Sequence, residues 1–357
     1  MIRRSRPPLW LARPSRYAAM STLNARLLLA ALAGLVVLSW LALALPGAAS
    51  DGSVELNAAI IDAVRHGGGY YAVAADALHA GDGSLDAPAP IRLPTLALVT
   101  VGLPALAAPL LLFLLTAGTA VAWLRRLRPA LARPVARWGA ALLFIGGSVA
   151  ALRAEAAPVH EVWAGLLIAL SLARRQPGRW VESLGWGLLA ALIRETAAIY
   201  LLVMLCLAWR EGERREALGW AAALAVVALA VAAHLFAIGQ IVAATLFTPS
   251  EWIEAADLGE PLRAWRDSTV LVLMPPVLTG PLLALALAGW TAWRDPLATR
   301  VAIVLGVSAL LASGSPGAGL LTAPVLLVGL AFVPDGLRDL ATAALDRRRI
   351  TVRRVAP

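Results

Sequence analysis

Long apolar stretches recur from one end of this sequence to the other, and they restrict the chain to few folds. Many of them approach the roughly 20 residues that an α-helix needs to cross the hydrocarbon core of a bilayer. Hydrophobic residues make up 60% of the 357 positions, charged residues make up only 15%, and the mean hydropathy is +0.76. Soluble domains carry about 25% charged residues. The sequence therefore predicts an all-α, polytopic transmembrane helical bundle.

The apolar stretches suggest about 8–11 membrane segments, one of them broken or re-entrant. They lie at roughly 27–46, 96–122, 138–152, 156–173, 184–209, 218–238, 270–293, 301–312 and 317–333. We predict a basic cytoplasmic N-terminus (1–26), a transmembrane domain (27–333) and a basic cytoplasmic tail (334–357). Two outer segments, 47–95 and 239–268, interrupt the membrane domain.

All 31 basic residues are arginine, and they sit in short groups between the apolar stretches. This pattern is the orientation signal of membrane proteins and argues against nucleic acid as a partner. Arg194 and Glu195 fall inside the stretch 184–209. If that stretch turns back at this pair, 25 arginines share one side with the N-terminus and five lie opposite, whereas a single crossing gives about 16 against 14. The positive-inside rule favours the turn, with both termini cytoplasmic in an inner membrane.

The first outer segment contains two amphipathic patterns separated by His66 and three glycines. Apolar positions at helical spacing predict helices over 53–64 and 70–79, which suit the membrane interface. A general base at that surface must be ionised suitably at the working pH and lie within reach of a hydroxyl, which a carboxylate can do. Three acidic residues are candidate catalytic groups: Asp51, Glu55 and Asp62. Asp51 is an equally good candidate for a simple helix N-cap.

Four parts of the sequence resemble the GT-C superfamily of integral membrane glycosyltransferases. The first is a basic N-terminus and apolar segment followed by a long outer loop with an acidic residue near its start. The others are HGGGYY at 66–71 with RLPT at 92–95, VHEVWAGLLIALSLA at 159–173, and GLLAALIRETAAIYLLVML at 187–205. The chain departs from the family in lacking a tight pair of acids in the first loop and an outer domain after the last apolar stretch.

The resemblance implies transfer of a sugar from a polyprenyl-phosphate carrier to a glycan, lipid or protein acceptor on the extracytoplasmic face. It places the base or acceptor-positioning role on Asp51, with Glu55 and Asp62 as reserves. Arginine suits an anionic lipid-phosphate leaving group. The candidate substrate-binding residues are Arg92, Arg153, Arg194, Glu195, Tyr70, Tyr71, His160 and Glu161. The departure in the first loop leaves metal dependence open, with a divalent cation as the only candidate cofactor.

Plainer interpretations stay open for the same residues. Arg194 and Glu195 also fit a structural charged turn, and His160 and Glu161 fit an anchor at the edge of a membrane segment. Two other functional classes also fit the composition: a transporter or flippase-like protein, and a non-catalytic membrane subunit. Transporters often contain internal repeats, and we find none between the two halves of this sequence.

Overall fold

The computed structural model of the protein describes residues 8–44, 53–80, 92–104, 106–241, 259–311 and 317–346. Regular structure within these ranges is helical, apart from two isolated β-bridges. The α-helices are α1 (Thr22–Ala44), α2 (Ser53–Arg65), α3 (Tyr70–Ala80), α4 (Thr95–Val101), α5 (Ala107–Leu127), α6 (Pro134–Gly147), α7 (His160–Arg174), α8 (Val181–Ile193), α9 (Ala198–Arg210), α10 (Arg214–Ile241), α11 (Gly259–Ser268), α12 (Pro276–Ala292), α13 (Pro296–Leu311), α14 (Ala323–Leu326) and α15 (Val333–Ala344). The 3-10 helices are Arg16–Ala19, Val149–Leu152, Ala154–Ala156, Glu195–Ala197, Val270–Leu273, Ala318–Leu321 and Leu327–Phe332. The all-α prediction is confirmed for the described residues, and so are the two helices of the first outer segment.

Three helices in the described part of the chain are long and apolar enough to cross a membrane: α1, α5 and α10. Others are apolar but shorter, such as α8 with 13 residues and α12 with 17. At a rise of 1.5 Å per residue, a helix the length of α8 covers about 20 Å of a hydrocarbon core about 30 Å thick. Only 11% of the apolar window of α1 is buried. Such exposed apolar helices indicate a membrane protein, and the larger number of membrane segments stays a prediction.

The stretch 184–209 is interrupted where its two charges lie. α8 ends at Ile193, a 3-10 helix follows, and α9 begins at Ala198. A Cβ placed on Gly187 of α8 would lie 3.1 Å from Cδ2 of Leu201 in α9. In one continuous helix the two residues would be about 21 Å apart along the axis. α8 and α9 therefore fold back on each other as a helical hairpin with the charged pair at its tip.

Prolines divide two of the predicted segments. The segment predicted at 96–122 consists of α4 and α5, with Pro104 between them. The segment predicted at 270–293 consists of a 3-10 helix and α12, which begins at Pro276 directly after Pro275. Proline lacks a backbone N–H and its ring clashes with the preceding turn, so a helix starts at it more readily than it passes through it.

A buried ion-pair network joins four helices at one end of the protein. Arg175, which follows α7, donates hydrogen bonds of 3.0 and 2.9 Å to the carboxylate of Glu216 in α10. Nε1 of Trp220 donates to the same carboxylate at 3.2 Å. Arg175 and Arg300 of α13 both pair with Glu211, which follows α9.

The N-terminal segment is attached to α15, the last helix among the described residues, at that same end. Backbone N–H groups of residues 9–11 donate to the fully buried carboxylate of Asp335 at 2.6, 2.7 and 2.8 Å. The N–H of Ser15 donates to Asp339 at 2.9 Å. The carbonyl oxygen of Ser15 accepts two hydrogen bonds from Arg294, near the start of α13. The first and last described segments therefore lie together.

The segment 334–357, predicted as a tail, begins as a packed helix. α15 occupies most of its first part and buries Leu340 and Ala344 against Tyr17 and Ala25. Its strong amphipathic pattern explains this packing, because the apolar face needs a partner. Residues 347–357 lie outside the described part of the chain.

Candidate functional site

Four charged side chains meet at the tip of the α8–α9 hairpin. Oε1 of Glu161, in the first turn of α7, lies 2.8 Å from Nε of Arg194 and 3.4 Å from Nη2 of Arg92. Oε1 of Glu195 pairs with Arg194 and lies 3.7 Å from Nη1 of Arg92. Two guanidinium groups and two carboxylates from three separate parts of the chain thus form a closed ring. We call these four residues the charged cluster.

The charged cluster is largely withdrawn from water. The exposed side-chain fractions are 2% for Arg194, 10% for Glu161, 11% for Arg92 and 33% for Glu195. A buried charge is tolerated only when it is paired, so each guanidinium depends on the two carboxylates. The four formal charges cancel. Glu195 forms the accessible edge of the cluster, where a ligand from outside would make its first contact.

Local backbone structure sets both carboxylates at helix N-termini. Glu161 is the second residue of α7, and Glu195 opens the 3-10 helix that leads into α9. Unpaired N–H groups give a helix N-terminus a partial positive charge, which stabilises a carboxylate there. Arg194 lies between the two helices in an extended conformation, with φ −136° and ψ 110°. This single extended residue is where the chain reverses direction.

Tyr70 connects α3 to the charged cluster. Its hydroxyl donates a hydrogen bond of 2.7 Å to the carbonyl oxygen of Arg92. Burial raises the pKa of Tyr70 above its ordinary value, and Tyr71 and the carboxylate of Glu195 act in the same direction. The phenol therefore stays protonated and fixes the backbone of Arg92. On the same helix, the hydroxyl of Tyr71 lies 3.1 Å from Nδ1 of His234 in α10.

Nε2 of His160, beside the cluster, and Oε2 of Glu195, within it, have no hydrogen-bond partner among the described residues. Both atoms are buried, and His160 as a whole is 2% exposed. Buried polar atoms in proteins are nearly always satisfied by protein, water or a ligand. These two atoms therefore provide unused hydrogen-bonding capacity for a hydroxyl group or an ordered water at this site.

A glycine-rich segment packs against the carboxylate of Glu161. Gly317 has a positive φ of 73°, and a Cβ placed on it would lie 3.1 Å from Cγ of Glu161. Glycine meets both requirements, because it adopts the left-handed conformation freely and has no side chain. The 3-10 helix that follows packs on α7 at Gly165, where a Cβ would overlap the carbonyl oxygen of Leu320.

Most of the predicted binding residues lie in or next to the charged cluster, and one does not. The structure brings Arg92, Glu161, Arg194 and Glu195 together in the cluster, with Tyr70 bonded to its backbone. His160 is adjacent to Glu161 in α7, and Tyr71 is adjacent to Tyr70 in α3. Arg153, predicted for the same site, is exposed, has no ion pair with a described residue and is not brought into contact with the cluster.

Of the three predicted catalytic carboxylates, the side chain of Asp62 alone lies within the described structure. Asp51 lies outside the described residues, and Glu55 belongs to the first turn of α2. The side chain of Asp62 is 69% exposed and lies 3.7 Å from His66. α2 buries Ile60 and Ile61 against α3, which turns Asp62 to the opposite, solvent-facing side. Asp62 is therefore a poor candidate for a residue acting with the cluster.

His234 and Gly317 were not among the site residues predicted from the sequence. His234 carried a usable signal, since an ionisable residue inside a long apolar helix is a candidate functional residue by default. Gly317 carried none, because its role depends on a contact with a residue far away in the sequence.

A metal site is not evident in the described part of the chain. No three His, Cys, Asp or Glu side chains there lie close enough together to hold a metal ion. The divalent cation that the resemblance left open therefore has no set of ligands among these residues.

Comparison with known proteins adds no relative. The sequence matches no family model, and neither a curated protein nor a solved structure shows significant similarity to it. Functional inference therefore depends on the geometry described above.

Proposed function

We propose that this chain is a membrane glycosyltransferase that transfers a sugar from a polyprenyl-phosphate carrier to a lipid, glycan or protein acceptor. The observation that supports this most is the charged cluster, a largely buried polar site at a break between two apolar helices. Ionisable groups in such surroundings are costly and mark functional sites more often than chance would give.

Apolar side chains near the site fit a lipid-linked substrate. Leu98 and Val99 of α4 follow Arg92 closely in the sequence and are exposed. Phe236 of α10, two positions after His234, is exposed as well. In a bilayer, such surfaces would contact isoprenoid chains, while the polar part of the carrier reaches the cluster.

The cluster offers the groups that glycosyl transfer needs. The bond between the sugar and the phosphate breaks, its electron pair stays with the phosphate oxygen, and the acceptor hydroxyl bonds to the sugar carbon while losing its proton to a carboxylate. Arg92 and Arg194 would stabilise the departing phosphate. His160 and Glu195, with their unused polar atoms, would hold sugar or acceptor hydroxyls. The base in this proposal is Asp51 or Glu195.

A non-catalytic membrane subunit is the second candidate, and one observation favours it. The charges within the cluster cancel, so the ring is electrostatically complete without a ligand. In that case the cluster would serve only to hold the hairpin tip against α7.

The two functions predict different behaviour of charge-neutral variants. We would purify the full chain, measure binding of fluorescent polyprenyl phosphate, and follow sugar transfer from polyprenyl-phosphate sugars in isolated membranes. The double variant Glu161→Gln/Arg194→Gln removes one charge of each sign and so leaves no unpaired buried ion. If the chain is a glycosyltransferase, this double variant should bind the carrier at least tenfold more weakly and should lose sugar transfer, while its fold stays unchanged.

The matched control is Arg174→Gln/Glu182→Gln, which removes an exposed ion pair about 20 Å away along α7. That pair spans 2.7 Å and is more than two-fifths exposed on both sides. It should leave binding and transfer unchanged. The glycosyltransferase proposal would be refuted if the wild-type chain bound no polyprenyl phosphate, or if the cluster variant bound it as well as the control does. The non-catalytic membrane subunit would then be the remaining candidate.

A further inference from the structure

The two carboxylates of the charged cluster are held differently. The side chain of Glu161 is 10% exposed, and its Oε1 lies 2.8 Å from Nε of Arg194 and 3.4 Å from Nη2 of Arg92. The side chain of Glu195 is 33% exposed, pairs with Arg194 and lies 3.7 Å from Nη1 of Arg92. We propose that the Glu195 carboxylate occupies the place of an anionic ligand, and that a lipid-linked phosphate binds by displacing it from the two arginines.

The charges of the cluster fit this exchange. With Glu195 turned away, two guanidinium groups remain beside the Glu161 carboxylate, which leaves one positive charge in excess. A phosphate that links a sugar to a polyprenyl chain is a diester and carries a single negative charge. The cluster is therefore neutral with the ligand and without it, and neither state leaves an uncompensated charge buried. This inference rests on the proposed function for the identity of the ligand, and it explains why the ring is complete before the ligand arrives.

Glu195 is the member of the cluster that can move at the least cost. Its contact with Arg92 is longer than a normal N–H···O hydrogen bond of roughly 2.7–3.2 Å. Its second oxygen, Oε2, is buried without a hydrogen-bond partner among the described residues. Such an oxygen is costly, and it gains hydrogen bonds from water when the side chain turns outward. Glu161 is more enclosed, because a Cβ placed on Gly317 would lie 3.1 Å from its Cγ.

His160 supplies an independent indication of a ligand at this place. The residue is 2% exposed, and its Nε2 has no hydrogen-bond partner in the described part of the chain. The charges of Arg92, Arg194 and Glu195 all act on the imidazole ring, so the ring lies within electrostatic range of the place that Glu195 would leave. A histidine nitrogen that carries the proton can donate to a phosphate oxygen. The vacated place therefore combines two guanidinium groups with a buried imidazole nitrogen.

The test measures binding of a fluorescent polyprenyl methyl phosphate, a diester without a sugar, to the purified full chain in micelles. Glu195→Gln should bind it about tenfold more tightly than the wild type, because the ligand no longer displaces a charged competitor. Glu195→Asp keeps the charge but shortens the side chain, so it should bind about threefold more tightly. The diester should also raise the thermal unfolding temperature of Glu195→Gln more than that of the wild type. A gain in affinity distinguishes displacement from a structural role, which would produce no gain.

The matched control is Glu182→Gln, which removes a carboxylate that pairs with Arg174 at the opposite end of α8. It should bind the diester like the wild type. Thermal unfolding without lipid verifies the fold of each variant, and Glu195→Asp provides the comparison if Glu195→Gln does not fold. The displacement would be overturned if neither substitution of Glu195 bound the diester more tightly, or if the control gained as much.

Two further outcomes separate the ligand and the proposed function from the displacement itself. Competition by soluble dimethyl phosphate as strong as that by the unlabelled lipid would overturn the assignment of a lipid-linked ligand. A gain in binding without any sugar transfer by the wild type would refute the glycosyltransferase and support the displacement. Sugar transfer by the wild type without that gain would refute the displacement alone.

Discussion

Replacing Arg175 by methionine should cost much of the stability of this protein. The exposed side-chain fractions of Arg175 and Glu216 are 7% and 1%, and two hydrogen bonds of 3.0 and 2.9 Å join them. Without the guanidinium, the Glu216 carboxylate stays buried with only Trp220 as a neutral partner. Removing one member of a buried pair costs about 3–5 kcal/mol, mainly because the other charge is left uncompensated.

The neighbouring residue supplies the control. Arg174 pairs with Glu182 at 2.7 Å, but their side chains are 43% and 49% exposed. An exposed pair contributes about 0.2–1 kcal/mol, so Arg174→Gln should be nearly neutral. Chemical unfolding of the purified protein in detergent micelles measures both variants.

A second variant distinguishes lost charge pairing from lost packing. Arg175→Met/Glu216→Gln removes the buried charges of both partners, and the glutamine oxygen still accepts from Trp220. It should recover most of the lost stability. If Arg175→Met and Arg174→Gln proved equally mild, or if the double variant stayed as unstable as Arg175→Met, the buried ion pair would not be what holds α7 to α10.

Three further substitutions test other parts of the fold. Gly187→Ala should lower the free energy of unfolding by about 1–3 kcal/mol, because the new Cβ would lie 2.9 Å from a ring carbon of Tyr200. Chemical unfolding in micelles measures this loss of stability. An unchanged stability would contradict the helical hairpin. Asp335→Asn should speed protease cleavage near residues 9–11, because an amide nitrogen would then face backbone N–H donors. Timed digestion with sequencing of the fragments measures the rate of cleavage. An unchanged rate would show that the carboxylate does not hold the segment. The raised pKa of Tyr70 means that stability falls as pH rises above the ordinary pKa of 10.0, since the unfolded chain then releases a proton that the folded chain keeps. The Tyr70→Phe variant should lose less stability over that pH range than the wild type. Parallel curves of stability against pH for the two proteins would contradict this.

Features that depend on local sequence were predictable. The apolar runs located most helices, and the turn between α2 and α3 follows from three consecutive glycines, of which Gly67 has φ 101°. The hairpin tip was predictable because two adjacent charges and the distribution of arginines both indicated a reversal at Arg194 and Glu195.

Features that depend on distant contacts were not predictable. Arg175 and Glu216 lie in different charged groups, and nothing nearby in the sequence shows that each is the other's partner. The same holds for Arg92 and Glu161, which were both proposed as site residues without any indication that they touch. Asp62 shows a further limit: it was a candidate catalytic residue, but the packing of α2 on α3 decided which face of α2 is buried.

The attachment of residues 9–11 to Asp335 has a consequence for how the chain is made. The partners are 324 to 326 positions apart. A ribosome synthesises a chain from its N-terminus, at about 5–20 residues per second. The amide groups of residues 9–11 therefore exist for tens of seconds before their acceptor does. During that interval water or another acceptor serves them, and residues 9–11 reach their bonded position only after Asp335 has been synthesised.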